Sequence, residues 1–110
     1  MPMSPKQDGF KDFVLDQIAD LHGLRCRAMF GGYGLSQNQT FFGIIHKGRL
    51  YLKVNEITRS QYLDHGMKPF RVSPKRTLTT FYEVPVEVLE DADMLTTWAA
   101  QTLRFLRYSR

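Results

Sequence analysis

Cysteine occurs once, at Cys26, so no internal disulfide forms, as expected of a chain kept in a reducing cytoplasm. No apolar run approaches the ~20 residues needed to cross a bilayer, which argues against a membrane protein. The start, Met1-Pro2-Met3-Ser4-Pro5-Lys6, passes into Gln7 and Asp8 rather than an apolar block, so no secretory signal is read there. Histidine is sparse: His22, His46 and His65 each stand without a His, Cys or carboxylate at ligand spacing, which predicts no metal. Asp91 and Asp93 resemble the opening of a calcium loop, but the downstream Gly and Glu are absent, leaving them as helix caps. A G-x-S-x-G elbow is missing as well, and Cys26 has no local base. These absences predict a domain with no catalytic site and no cofactor.

What is present suits a single packed domain. Of 110 residues, 43% are hydrophobic and 13% aromatic, far from a disordered composition. Residues 1–7 are expected to be a loose leader, with Ser4-Pro5 or Asp8 able to start a helix. Phe10, Phe13, Val14, Gln17, Ile18 and Leu21 then recur at helical spacing until Gly23.

From Leu24 to Val54 the pattern changes to short strands. Leu24 to Met29 alternates with period two. Phe30-Gly31-Gly32 permits a tight bend, Ser36-Gln37-Asn38-Gln39 a polar turn, and Lys47-Gly48 another before Arg49 to Val54. Such short connections imply a meander of three or four antiparallel strands. A helix over Ile57 to His65 ends at Gly66. Strands at Pro69 to Val72 and Thr79 to Val84 flank the basic loop Ser73-Pro74-Lys75-Arg76. After Pro85, a terminal helix capped by Asp91 or Asp93 carries Leu95, Trp98, Ala99, Thr102, Leu103 and Leu106 on one stripe. The order is α, β(3–4), α, β(2), α: an α+β two-layer sandwich, with helices covering an antiparallel sheet in one domain over 1–110.

The glycines of Met29-Phe30-Gly31-Gly32-Tyr33-Gly34 superficially suggest a phosphate loop. That loop needs a strand-to-helix transition, and here they lie between two strands, as in a turn or bulge. Arg25 and Arg27 flank Cys26 but point to the other face of a strand, which leaves a structural thiol. Tyr51 and Lys53 share one strand face, and Phe81 and Glu83 share another. If those strands are neighbours, Lys53 and Glu83 pair across the sheet. Either this is a solvated ion pair, or Arg27, Tyr33, Tyr51, Lys53, Phe81 and Glu83 form a patch for a partner or small anion.

The net charge of +4 includes two local clusters: Arg71, Lys75 and Arg76, then Arg104, Arg107 and Arg110. They read either as a solubilising surface or as nucleic-acid contacts, the latter only if they converge on one face.

Three segments together resemble the TfoX/Sxy N-terminal domain: Arg27-Ala28-Met29-Phe30-Gly31-Gly32-Tyr33-Gly34-Leu35, Leu50-Tyr51-Leu52-Lys53-Val54 and Phe81-Tyr82-Glu83-Val84-Pro85. Gly66, Pro69-Phe70 and Trp98-Ala99 fit too, and the match runs from about Phe10 to Leu106. The resemblance implies a regulator-type domain linked to competence, with a two-layer fold similar to secretion chaperones. It also implies a stand-alone N-terminal unit, because the helical C-terminal domain of full-length relatives is not represented here. The leading expectation is a non-enzymatic cytoplasmic module that contacts another protein and self-associates as a homodimer. The alternatives are a nucleic-acid-binding regulator and a small-ligand-binding domain.

Overall fold

Val14 of the first helix, α1 (Pro5–Gln17), and Ile18 just past its end are fully buried and anchor the helix in the apolar core. The computed structural model describes residues 5–29 and 31–108. The expected cap at Ser4 lies outside them. Pro5 to Gln7, expected in the leader, are helical, and Asp8 falls inside α1 instead of capping it. The helix also stops earlier than its periodicity predicts. Residues 18–22 form turns, with the Ile18 and Leu21 amides donating to the Val14 and Ile18 carbonyls at 3.2 and 3.0 Å. Gly23, at φ 72°, then turns the chain into the sheet.

Four strands follow as a meander: β1 (Leu24–Met29), β2 (Gly32–Gln37), β3 (Thr40–His46) and β4 (Arg49–Lys53). Their last two turns are two-residue hairpins, Asn38-Gln39 and Lys47-Gly48, with positive φ at all four positions. That is the turn geometry whose twist matches the flanking strands. Gly32 is required for a different reason. A Cβ there would lie 2.1 Å from the Ile45 carbonyl oxygen, so β2 and β3 can approach only because it is absent.

After β4 come α2 (Glu56–Asp64), β5 (Pro69–Ser73) and β6 (Arg76–Glu83), then the single turn α3 (Val86–Leu89) and the long α4 (Ala92–Tyr108). Asn55 caps α2 reciprocally: its side chain accepts from the Thr58 amide at 2.8 Å, while the Thr58 hydroxyl accepts from the Asn55 amide at 3.0 Å. Asp91 caps α4 as expected, accepting from the Met94 amide at 3.0 Å. The sheet order is β1-β2-β3-β4-β6-β5, with every neighbouring pair antiparallel. The chain is therefore an α+β fold with a six-stranded antiparallel sheet.

Two apolar clusters define the layers. The main core takes residues from all four helices, among them Val14, Tyr62, Val88 and the α4 stripe Leu95, Trp98, Ala99 and Leu103. These pack on Leu35, Phe42, Leu50, Leu52 and Val84 of the sheet and its flanks. Thr102, in the same stripe, ties α4 down by donating to the Lys53 carbonyl at 3.0 Å. The second cluster, Tyr51, Phe70 and Phe81 with Ile44 and Leu78, contains only strand residues among those described. It sits on the face the helices leave open.

Candidate functional site

The open face is built by strands that are apolar on both sides. In β4, Leu50 and Leu52 enter the main core while Tyr51 between them joins the second cluster. In β3 a register shift opposite Leu35 and Ser36 leaves Phe42 without a Cα partner on β2. This bulge puts Phe42 in the main core and returns both Phe41 and Ile44 to the open side. A larger irregularity between β5 and β6 brings Leu78 and Phe81 to the same cluster. The aromatic rings then meet at a tilt or edge-on: Phe41 with Phe81 at 5.7 Å, Tyr51 with Phe70 at 4.7 Å, and Phe70 with His46 at 5.4 Å.

These side chains line a cavity of about 500 Å³ whose walls include Met29, Phe41, Ile44, Phe70, Leu78 and Phe81. His46 and Arg76 are its polar lining. Burial, and then the Lys47 charge, hold the His46 imidazole below its ordinary pKa, so it is neutral at physiological pH. A second, shallower hollow of about 970 Å³ continues across β1 and β2, with Arg25, Arg27, Gly34 and Ser36 in its lining. Met29 and Phe41 belong to both hollows. They close over Gly34, where a Cβ would come within 2.4 Å of the Met29 sulfur and 2.9 Å of Phe41.

The expected patch divides between the two faces. Arg27, Tyr51, Lys53, Phe81 and Glu83 share the open side, while Tyr33 belongs to the main core, with the Lys11 ammonium 5.2 Å from its ring centroid. β4 and β6 are indeed neighbours, with Tyr51 opposite Glu83 and Lys53 opposite Phe81. The expected Lys53–Glu83 pair does not form. Arg49 takes Glu83 instead, its Nη1 donating to both carboxylate oxygens at 3.0 and 2.9 Å, and the Lys53 ammonium rests 5.8 Å from the Phe81 ring centroid. Burial first, then the Glu83 charge, push the Tyr51 phenol above its ordinary pKa.

The basic clusters are split as well. Arg76 lines the open-face cavity, and Arg71 folds back on its own hairpin by donating to the Pro74 carbonyl at 2.9 Å. Lys75 is exposed at the turn. Arg104 and Arg107 belong to α4, on the helical layer; Arg107 donates to the side-chain oxygen of the buried Gln37, and Arg104 is exposed. Arg110 lies outside the described residues. Cys26 packs against the main core, and burial raises its thiol pKa, so it is a weak nucleophile at neutral pH. Among the described residues no group of three or more His, Cys, Asp or Glu is placed to hold a metal ion. None of the helices described is long and apolar enough to cross a membrane.

Sequence reasoning missed Arg25, Met29, Ile44, Phe70 and Leu78 as members of this face. A signal was available. Leu50-Tyr51-Leu52 and Phe41-Phe42 with Ile44-Ile45 carry large apolar residues at both parities, the mark of a strand buried on both sides.

The family model described as the TfoX N-terminal domain matches residues 16–106, most of the chain. No curated protein matches it.

Proposed function

The chain belongs to the TfoX N-terminal domain family, and from that premise we propose that it is a regulatory, competence-type module, non-enzymatic and acting by contact with another protein. The observation that carries this is the second apolar cluster. Tyr51, Phe70 and Phe81 pack together on a sheet face to which, among the described residues, no helix contributes. Phe41 and Val72, beside them, stay 37% and 46% exposed. A helix-free sheet face that is both apolar and concave is a surface suited to a partner.

Nucleic-acid binding receives weaker support. Arg76 and the α4 arginines belong to different layers, so they do not combine into one stripe.

Site-directed photo-crosslinking in the native host tests the proposal. A photoreactive phenylalanine analogue replaces Phe41 on the open face, or Ala100 on the exposed side of α4. The expected result is one defined protein captured from position 41 and not from position 100. That protein, once purified, should bind the wild-type chain and lose binding to Phe41→Asp. Capture of nucleic acid at position 41, or of no protein at all, overturns the reading.

A further inference from the structure

We infer that the occupant of the open face is an acidic peptide segment of another protein, with an apolar or aromatic anchor followed by carboxylates. The inference rests on the protein-contact reading above and gives that contact its chemistry.

Shape comes first. The two hollows share the wall formed by Met29 and Phe41, so a ligand reaching both must cross that wall and change character there. On one side it meets Ile44, Phe70, Leu78 and Phe81; on the other, Arg25, Arg27 and Ser36. Reach selects the class of ligand. From β1 to β6 the sheet order β1-β2-β3-β4-β6 places four inter-strand steps, roughly 19 Å at about 4.8 Å each. A small metabolite does not cover that distance. An extended peptide does so with about six residues at ~3.3 Å per residue.

Charge fixes the sign. Strand residues on this face include Arg25, Arg27, Arg49, Lys53 and Arg76, and Glu83 is the single carboxylate among all six strands. Arg49 already neutralises Glu83. Among the described residues, Arg25, Arg27 and Arg76 have no ion-pair partner. The other carboxylates belong to helices and loops, and Asp12 of α1, which acts on Cys26, does so from the helical side of the sheet. A partner that supplies carboxylates to those three arginines and an apolar side chain to the cavity satisfies both halves. A bare polyanion satisfies only one.

The test is fluorescence anisotropy with labelled peptides of ~12 residues, long enough to cross the face. One carries adjacent Phe and Leu anchors followed by Asp and Glu. A second has the anchors changed to Ser, and a third has Asp and Glu changed to Asn and Gln. An oligothymidine of the same length is the fourth probe. The first peptide is expected to bind about tenfold or more tighter than the anchorless one, as loss of a buried anchor implies. Arg27→Ala and Arg76→Ala should each weaken it roughly two- to fivefold at low salt. Arg25→Glu with Arg27→Glu, at exposed positions that leave the core untouched, should remove binding. Equal binding of the anchorless peptide or the oligothymidine overturns the inference, as does indifference to the arginine changes. Sedimentation showing a dimer that shields Phe41 overturns it in favour of a second copy. If crosslinking at Phe41 captures a protein while none of these peptides binds, this inference fails and the protein-contact reading stands. If the peptide binds but no protein is captured, it is the contact reading that fails.

Discussion

Arg49 holds Glu83 across the β4–β6 boundary, with one guanidinium nitrogen 3.0 and 2.9 Å from the two carboxylate oxygens. Arg49 is 58% exposed, so solvent screens the pair and its contribution stays small. A double-mutant cycle of Arg49→Ala and Glu83→Gln, read by urea unfolding, should give a coupling of about 0.2–1 kcal/mol. The corresponding cycle with Lys53→Ala should give no coupling, because that ammonium contacts the Phe81 ring instead. Coupling through Lys53 in place of Arg49 would contradict the arrangement.

Each glycine of the Gly31-Gly32-Tyr33-Gly34 segment resists substitution for its own reason. At Gly31, φ is 76°, and alanine there should lose about 1–2 kcal/mol to left-handed strain. At Gly32 a Cβ meets the Ile45 carbonyl 2.1 Å away, and backbone must move, so Gly32→Ala should lose more than about 2 kcal/mol. At Gly34 the first obstacle is the movable Met29 sulfur, and the loss should be the smallest of the three. Thermal unfolding ranks them, and a mild Gly32→Ala would show that β2 and β3 are not so tightly apposed.

The reciprocal cap of α2 offers a third check. Asn55→Ala removes the acceptor for the Thr58 amide and should destabilise the fold by about 1 kcal/mol in chemical denaturation. Asn55→Asp retains the acceptor and adds a negative charge at a helix N-terminus, so it should keep most of that stability. Equal losses for Ala and Asp would mean the side-chain bond is not what stabilises the turn.

Element order was legible because it depends on local periodicity. The α4 stripe Leu95, Trp98, Ala99, Thr102 and Leu103 is buried as its spacing predicts, and four of the six strands lie where alternation and turn residues put them. Faces were less legible, because a strand's parity says which residues share a side but not which side it is. Tyr33 and Tyr51 therefore looked equivalent, and only the pairing of β2 with its neighbours assigns Tyr33 to the helical layer. The Phe42 bulge and the β5–β6 irregularity reset parity inside a strand, and no local pattern announces either. The cavity between Met29, Ile44 and Leu78 depends on both, so it stayed hidden while its separate residues were plain to see.

Tyr62 supports a pH-dependent prediction. Its ring is wedged between Tyr82 and Trp98, with centroids 6.2 and 4.8 Å away. The buried hydroxyl has no hydrogen-bond partner among the described residues. Thr102 lies close enough to favour the ionised phenol slightly, but its own proton goes to the Lys53 carbonyl. Burial dominates and raises the phenol pKa above its ordinary value of 10.0. Tyr62→Phe deletes an unsatisfied buried hydroxyl with little change in shape, and should stabilise the protein by about 1 kcal/mol at neutral pH. Because the folded pKa is raised, the neutral phenol's contribution is complete below pH 10.0 and lost as pH climbs above it, where the unfolded phenol ionises and the folded one does not. The gap between Tyr62→Phe and wild type should therefore widen above pH 10.0. Tyr51, raised in both proteins, cancels in that difference. A Tyr62→Phe variant less stable than wild type at neutral pH would mean that the hydroxyl is bonded to Thr102 after all.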